Sequence, residues 1–214
     1  MYGGTAYGMG QQIIDDTRDM SDYLRDKEHL WGALLGNLVF HTCYEKLPGP
    51  ATMLRLFQEI ADVTNSRGEY LTWVTPVINA PVIQAYRKPT TKRTKLRYGD
   101  DELKINIESW DETTLDSDAS RTGAAPNIVH SFDAAHLAMV VDKCNFQVSV
   151  IHDSFGSHAG NMGRLFVSAR EEFVNFYKTD PLMQILKQLG CEDMMPPRGN
   201  LDISKIMESD YAFC

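Results

Sequence analysis

His152, Asp153 and Ser154 stand in a row after Phe146, Val148 and Val150, which alternate with Gln147 and Ser149 in the period-two pattern of a half-buried strand. All three residue types of a hydrolytic triad are present. Consecutive side chains of an extended chain point to opposite faces, however, and a triad must converge in space, so that chemistry is rejected. A carboxylate at the end of an apolar strand suits another task. It is a rigidly held hard oxygen ligand, which magnesium-dependent phosphoryl transfer requires. Two metals about 4 Å apart normally need two such carboxylates. Asp133 is a candidate for the second, on one helical face with His136, although an Asp at that place also suits a helix cap. The sequence holds no G-x-S-x-G, no Walker-type Gly-Lys-Ser/Thr and no G-x-G-x-x-G after a strand.

The surrounding pattern supplies elements to carry these residues. Residues 1–10 hold four glycines and two tyrosines and read as a turn-rich start rather than a plain helix. Gln11 to His29 reads as one or two surface helices. Trp31 to Tyr44, apolar nearly all round, reads as a buried helix ending before Pro48, and Met53, Leu54, Phe57, Ile60 and Ala61 mark a second core helix closed by Gly68. Pro76 and Pro81 limit Leu71 to Tyr86 to short extended segments. A hairpin follows between Leu96 and Ile107, turning at Gly99, and then an acidic Ser/Thr/Asp run, Asp111 to Gly123, that reads as a long exposed loop. Helical spacing resumes from Asn127 to Val141, with a cap near Ser131 to Asp133, and Met162 to Tyr177 is a strongly amphipathic helix.

Composition sets the outer bounds. The 214 residues suffice for one large domain or two small ones. A formal net charge of -8 argues against a free-standing nucleic-acid binder, which would need basic surface from elsewhere. The one concentrated basic cluster is Lys88, Lys92, Arg93, Lys95 and Arg97, either a solvated charge run or a set of phosphate contacts. Four widely spaced cysteines form no C-x-x-C pair and read as reduced thiols of an intracellular protein. No secretory signal opens the chain, and the apolar stretch 31–40 is too short for a bilayer, so no membrane partner is expected.

Five stretches, in order, carry a resemblance to the single-subunit, phage-type RNA polymerases, a family that includes the mitochondrial enzymes. Ile-His-Asp-Ser-Phe-Gly at 151–156 resembles the palm motif whose Asp binds both catalytic magnesium ions. Tyr-Gly-Gly-Thr-Ala-Tyr-Gly-Met-Gly-Gln-Gln-Ile at 2–13 is similar to the end of the fingers motif. Residues 73–89 and 125–137 resemble the segments flanking the specificity hairpin, and 199–214 resembles the C-terminal foot. Ser rather than Glu after His-Asp is similar to the RNA polymerases rather than to the related DNA polymerases.

The resemblance implies an α+β, right-hand polymerase fold, mostly helical, with a small antiparallel palm sheet. It divides the chain into fingers-derived helices and an extended segment (1–92), the hairpin region (93–125), and the palm with its foot (126–214). It implies that Asp153 binds magnesium, with His152 beside it shaping the turn, and that Tyr2 helps select ribonucleotides. His136 would contact the nascent base pair, Phe213 and the carboxylate of Cys214 would lie near the active site, and Lys88, Lys92, Arg93, Lys95 and Arg97 would meet nucleic-acid backbone. The family's other catalytic Asp, and the Arg and Lys of the fingers helix, would precede residue 1. The implied enzyme is therefore a DNA-directed RNA polymerase that is incomplete as one chain, either the C-terminal subunit of a split enzyme or a piece of a longer product. It shares two Mg2+ ions with an N-terminal partner chain and acts on DNA template, nascent RNA and ribonucleoside triphosphates in the cytoplasm of an infected bacterium. Acidic residues between 98 and 120 argue against direct promoter reading and for a recruiting factor or single-stranded template. A palm remnant that only binds nucleic acid or protein is the alternative from another class.

Overall fold

The computed structural model describes residues 4–17, 27–99 and 101–211. Its contacts divide the chain into two units, residues 1–59 and 60–214.

In the first unit, α1 (Ala6–Thr17) packs against α2 (Glu28–Lys46), and α3 (Pro48–Ser66) begins. The glycines that argued against a helix at the start of the chain are what make this pairing possible. Gly10 faces the backbone of Gly32, and a Cβ on Gly36 would lie 2.6 Å from the Gly10 nitrogen. Helix backbones approach this closely only where small residues meet, so Gly8 and Gly10 sit inside α1 despite their poor propensity. The apolar surround of α2 is not a sign of burial: among its described residues only Gly32 and Gly36 are buried, while Leu30, Leu34 and Leu38 face outward. In α3 the expected stripe of Leu54, Phe57, Ile60 and Ala61 is buried. The chain then turns at Gly68, whose φ of +74° suits glycine.

In the second unit three antiparallel hairpins accompany the helices. Strands β1 (Leu71–Val74) and β2 (Pro81–Gln84) pair around a Pro76 turn, and Pro81 stands at the strand's first position, where a missing N–H is tolerated. The side-chain amide of Gln188 donates to Val74 O at 2.9 Å and accepts from Val74 N at 2.8 Å, closing the edge of β1 as a neighbouring strand would.

Strands β3 (Arg87–Tyr98) and β4 (Asp101–Leu115) form a long ribbon whose register sorts side chains onto two faces. Arg93 opposite Asn106, Lys95 opposite Lys104 and Arg97 opposite Glu102 lie on one face. Lys92 opposite Ile107, Thr94 opposite Ile105 and Leu96 opposite Leu103 lie on the other.

The acidic run is not a loop. Its first five residues finish β4, and the rest cap and open α4 (Ser117–Lys143), which starts ten residues before the expected helix and carries Pro126 inside it. The carboxylates do local work: Asp111 accepts from Thr113 N and the hydroxyls of Thr113 and Thr114, which lowers its pKa to about 2. Asp116 caps α4 by accepting from Ala119 N at 3.0 Å. Asp133 is thus mid-helix, not a cap. Strands β5 (Val148–Ile151) and β6 (Ser154–Ser157) form the third hairpin, followed by α5 (Met162–Lys178) and α6 (Pro181–Gln188). The expected α+β class with small antiparallel sheets holds.

Trp73 binds the β1–β2 hairpin to α4, its Nε1 donating to Ser131 Oγ at 3.0 Å, and Ser131 in turn donates to Ile128 O. Gln84 Nε2 meets Ser120 Oγ at 3.1 Å, and Asn127 donates to Gln84 Oε1 at 3.1 Å. Each buried polar group in this seam finds a partner, which is the condition for burying it without loss.

Candidate active site

The β5–β6 hairpin closes through a minimal turn. Ile151 pairs with Ser154, leaving His152 and Asp153 as a two-residue turn. Turns of this length need left-handed backbone, and His152 supplies it with φ +53°. A side chain held there costs about 1 kcal/mol, an expense that recurs where function fixes the backbone. The Asp153 carboxylate is consequently exposed at the tip of a rigid element.

The base of the hairpin is held by packing. Phe146, Val148 and Phe155 lie against a cluster of Val140 from α4 with Leu165 and Ala169 from α5. His136 joins the same three elements. Its Nε2 donates to Ala169 O at 2.8 Å, and its ring meets Phe155 edge-on at 5.8 Å and Phe173 at 5.4 Å. The side chain is 7% exposed. His136 therefore fixes α4 relative to the hairpin that carries Asp153.

That fixed relation brings Asp133 of α4 within electrostatic reach of Asp153. Burial first, and then the neighbouring Asp153 charge, push the Asp133 carboxyl above its ordinary 3.8, against the opposite influence of His130 and His136. The pKa of His136 is lowered, chiefly by burial, although its bond to Ala169 and the Asp133 and Glu172 charges oppose this.

These opposite directions act on stability with opposite signs. For His136 the unfolded chain takes up its proton first, so stability is fully present above about pH 6.5 and is lost as pH falls through the folded value. For Asp133 the folded state holds the proton more tightly, so its contribution is present below 3.8 and lost as pH rises through the folded value. Denaturant melts between pH 7.5 and 5.5 are expected to show stability falling toward acid, and His136→Gln is expected to flatten that slope. An unchanged slope would remove His136 as its source.

The donor set fits magnesium in part. Magnesium is commonly held by one or two carboxylates plus waters and substrate phosphates, and Asp153 with Asp133 offers carboxylates of that kind. No group of three or more protein ligands forms among the described residues. The five cations proposed from the sequence do not act as one cluster. Arg93, Lys95 and Arg97 share a face of the ribbon, whereas Lys92 lies on the other and Lys88 sits at a register irregularity between Arg87 and Pro89. Lys104 joins the first face, a member that only the cross-strand register reveals. Glu102 tempers it through a 2.7 Å ion pair with Lys95. Tyr2, Phe213 and Cys214 lie outside the described residues.

A two-residue turn presenting an exposed aspartate, packed at its base against an amphipathic helix, is compatible with a polymerase palm. The family model for DNA-dependent RNA polymerase matches residues 1–192. The chain belongs to this family, in its phage and organelle branch. It is 31% identical over its whole length to the DNA-directed RNA polymerase of Pseudomonas phage phiKMV, covering 27% of that protein. It is 29% identical, again over its whole length, to the chloroplastic/mitochondrial DNA-directed RNA polymerase 2 of Arabidopsis thaliana, covering 22% of it. Against T7 RNA polymerase of Escherichia phage T7 it is 34% identical over 157 residues, 66% of this chain and 18% of that one. The chain thus spans roughly a quarter of the length of such relatives. No helix among the described residues is long and apolar enough to cross a membrane.

Proposed function

We propose that this chain is the C-terminal catalytic portion of a DNA-directed RNA polymerase and works with a second chain that carries the remaining catalytic groups. The observation that carries this reading is the exposed Asp153 on its two-residue turn, in a chain matched by the family model over residues 1–192. Asp153 and a further Asp from the partner would hold two magnesium ions. When bound, magnesium neutralises charge on the nucleotide's phosphates and favours the ionised form of the attacking RNA 3'-hydroxyl.

The residues of this chain contribute position and field. The hairpin keeps its carboxylate at a fixed point, so little reorganisation is needed when the alpha-phosphate is attacked in line. His136 holds the hairpin against α4, and for it to touch a base pair, as the family resemblance implies, its ring would leave Ala169. Arg93, Lys95, Arg97 and Lys104 would face the nucleic-acid backbone, where each neutralised phosphate adds salt-sensitive affinity. Lys88 and Lys92 would contribute from outside that face. Tyr2 would select ribonucleotides, and Phe213 and Cys214 would lie beside the site.

The test is an RNA primer on a DNA template with ribonucleoside triphosphates and magnesium. The chain combined with the portion bearing the second Asp is expected to extend the primer, and the chain alone is not. Extension by the chain alone, or none by the combination, overturns the proposal.

A further inference from the structure

The outward side of α2 is apolar along three turns. Leu30, Leu34 and Leu38 form one ridge, and Trp31, Leu35 and Val39 form the next. Leu30, Leu34 and Leu38 are 65%, 57% and 61% exposed. From Leu30 to Tyr44 the helix contains no Asp, Glu, Lys or Arg, and Asn37 and His41 are the polar side chains bordering this ridge. Contiguous apolar patches of this kind mark interaction sites. The glycines use the other side of α2: Gly32 and Gly36 face α1, so α1 cannot also cover the leucine ridge. A bilayer is a poor occupant, because fifteen uncharged residues at 1.5 Å each fall well short of the roughly 30 Å hydrocarbon core.

We propose that this face of α2 is the docking surface for the polymerase portion that precedes this region in the relatives, received through an apolar helical face. The whole of this chain aligns to 27% of the phiKMV polymerase, so most of that relative lies outside the match. The motifs of this chain resemble the C-terminal end of the family, which puts the remainder before α1, the helix already packed on α2. The inference rests on the polymerase reading above and adds the place at which the two parts join.

The test is assembly measured separately from chemistry. The preceding polymerase portion encoded in the same genome is supplied in trans and titrated against this chain, with complex formation followed by light scattering after size exclusion. The wild-type chain is expected to form a one-to-one complex, and Leu34→Glu combined with Leu38→Glu to weaken it at least a hundredfold. Far-UV circular dichroism keeps a folding failure apart from a docking failure, and the milder Leu34→Ser is expected to weaken binding while retaining the wild-type spectrum. Undiminished assembly of both variants overturns the proposal. So does a wild-type chain that forms a stable homodimer through this face and leaves the other portion unbound. Asp153→Asn separates the two readings. If it assembles normally and loses extension, both stand; if it extends RNA normally while the α2 variants fail to assemble, the docking surface stands and the catalytic assignment falls.

Discussion

Asp153→Asn is expected to reduce RNA extension by the assembled polymerase at least about a thousandfold while leaving fold and assembly unchanged, a loss of about 4 kcal/mol in transition-state stabilisation. The fold is spared because Asp153 is exposed in a two-residue turn whose strands pair through backbone, and asparagine is well suited to such turns. Surface substitutions of this kind usually stay within about 0.5 kcal/mol. Chemistry is not spared, because the amide keeps the shape and removes the charge that would hold magnesium. A second readout is independent of turnover. Asp133 loses a like-charged neighbour, so its carboxyl is expected to titrate lower in the variant than in the wild type, followed by carbon NMR of the side chain. Extension at the wild-type rate would end the assignment.

Gly36→Val is expected to destabilise the α1–α2 pair by about 3 kcal/mol, at the upper end of the usual cost of overpacking. Propensity alone predicts the opposite sign, since glycine inside a helix costs about 1 kcal/mol relative to alanine. Contact decides. A Cβ at Gly36 would stand 2.6 Å from Gly10 N and 2.7 Å from Gly10 Cα, and those are backbone atoms that no rotamer change can move. The helices must part. Gly163→Ala is the control, because that glycine is also helical but a Cβ there meets nothing within 4 Å, and it is expected to leave stability equal or higher. Denaturant titration with amide exchange across α1 distinguishes them; equal stability for Gly36→Val and wild type would refute the glycine contact.

The site was more legible in the sequence than the surfaces. Alternation from Phe146 to Val150 followed by His-Asp is a local signal, and it located both the strand and the exposed carboxylate. The sequence offered Asp133 as a second carboxylate or a helix cap without deciding between them, because its relation to Asp153 depends on Val140, Leu165 and Ala169 packing three elements together. Composition misled at α4, where Asp116 and the Ser/Thr/Asp run resembled loop but serve as a cap and first turns. It misled again at α2, since hydropathy reports that a face avoids water without reporting whether this chain covers it. Lys104 needed the register of β3 and β4, which no single strand contains.

The two-faced ribbon of β3 and β4 carries a parity rule. Arg93, Lys95 and Arg97 share a side only because they are spaced by two, and their neighbours Lys92, Thr94 and Leu96 fill the opposite side. Loss of one residue from β3 would exchange the sides of every position between the deletion and the tip, turning leucine toward the cation face and arginine away from it. Loss of two would merely shorten the ribbon. Length along this segment can therefore change without penalty only in even steps on each strand, so an odd insertion or deletion requires a compensating bulge.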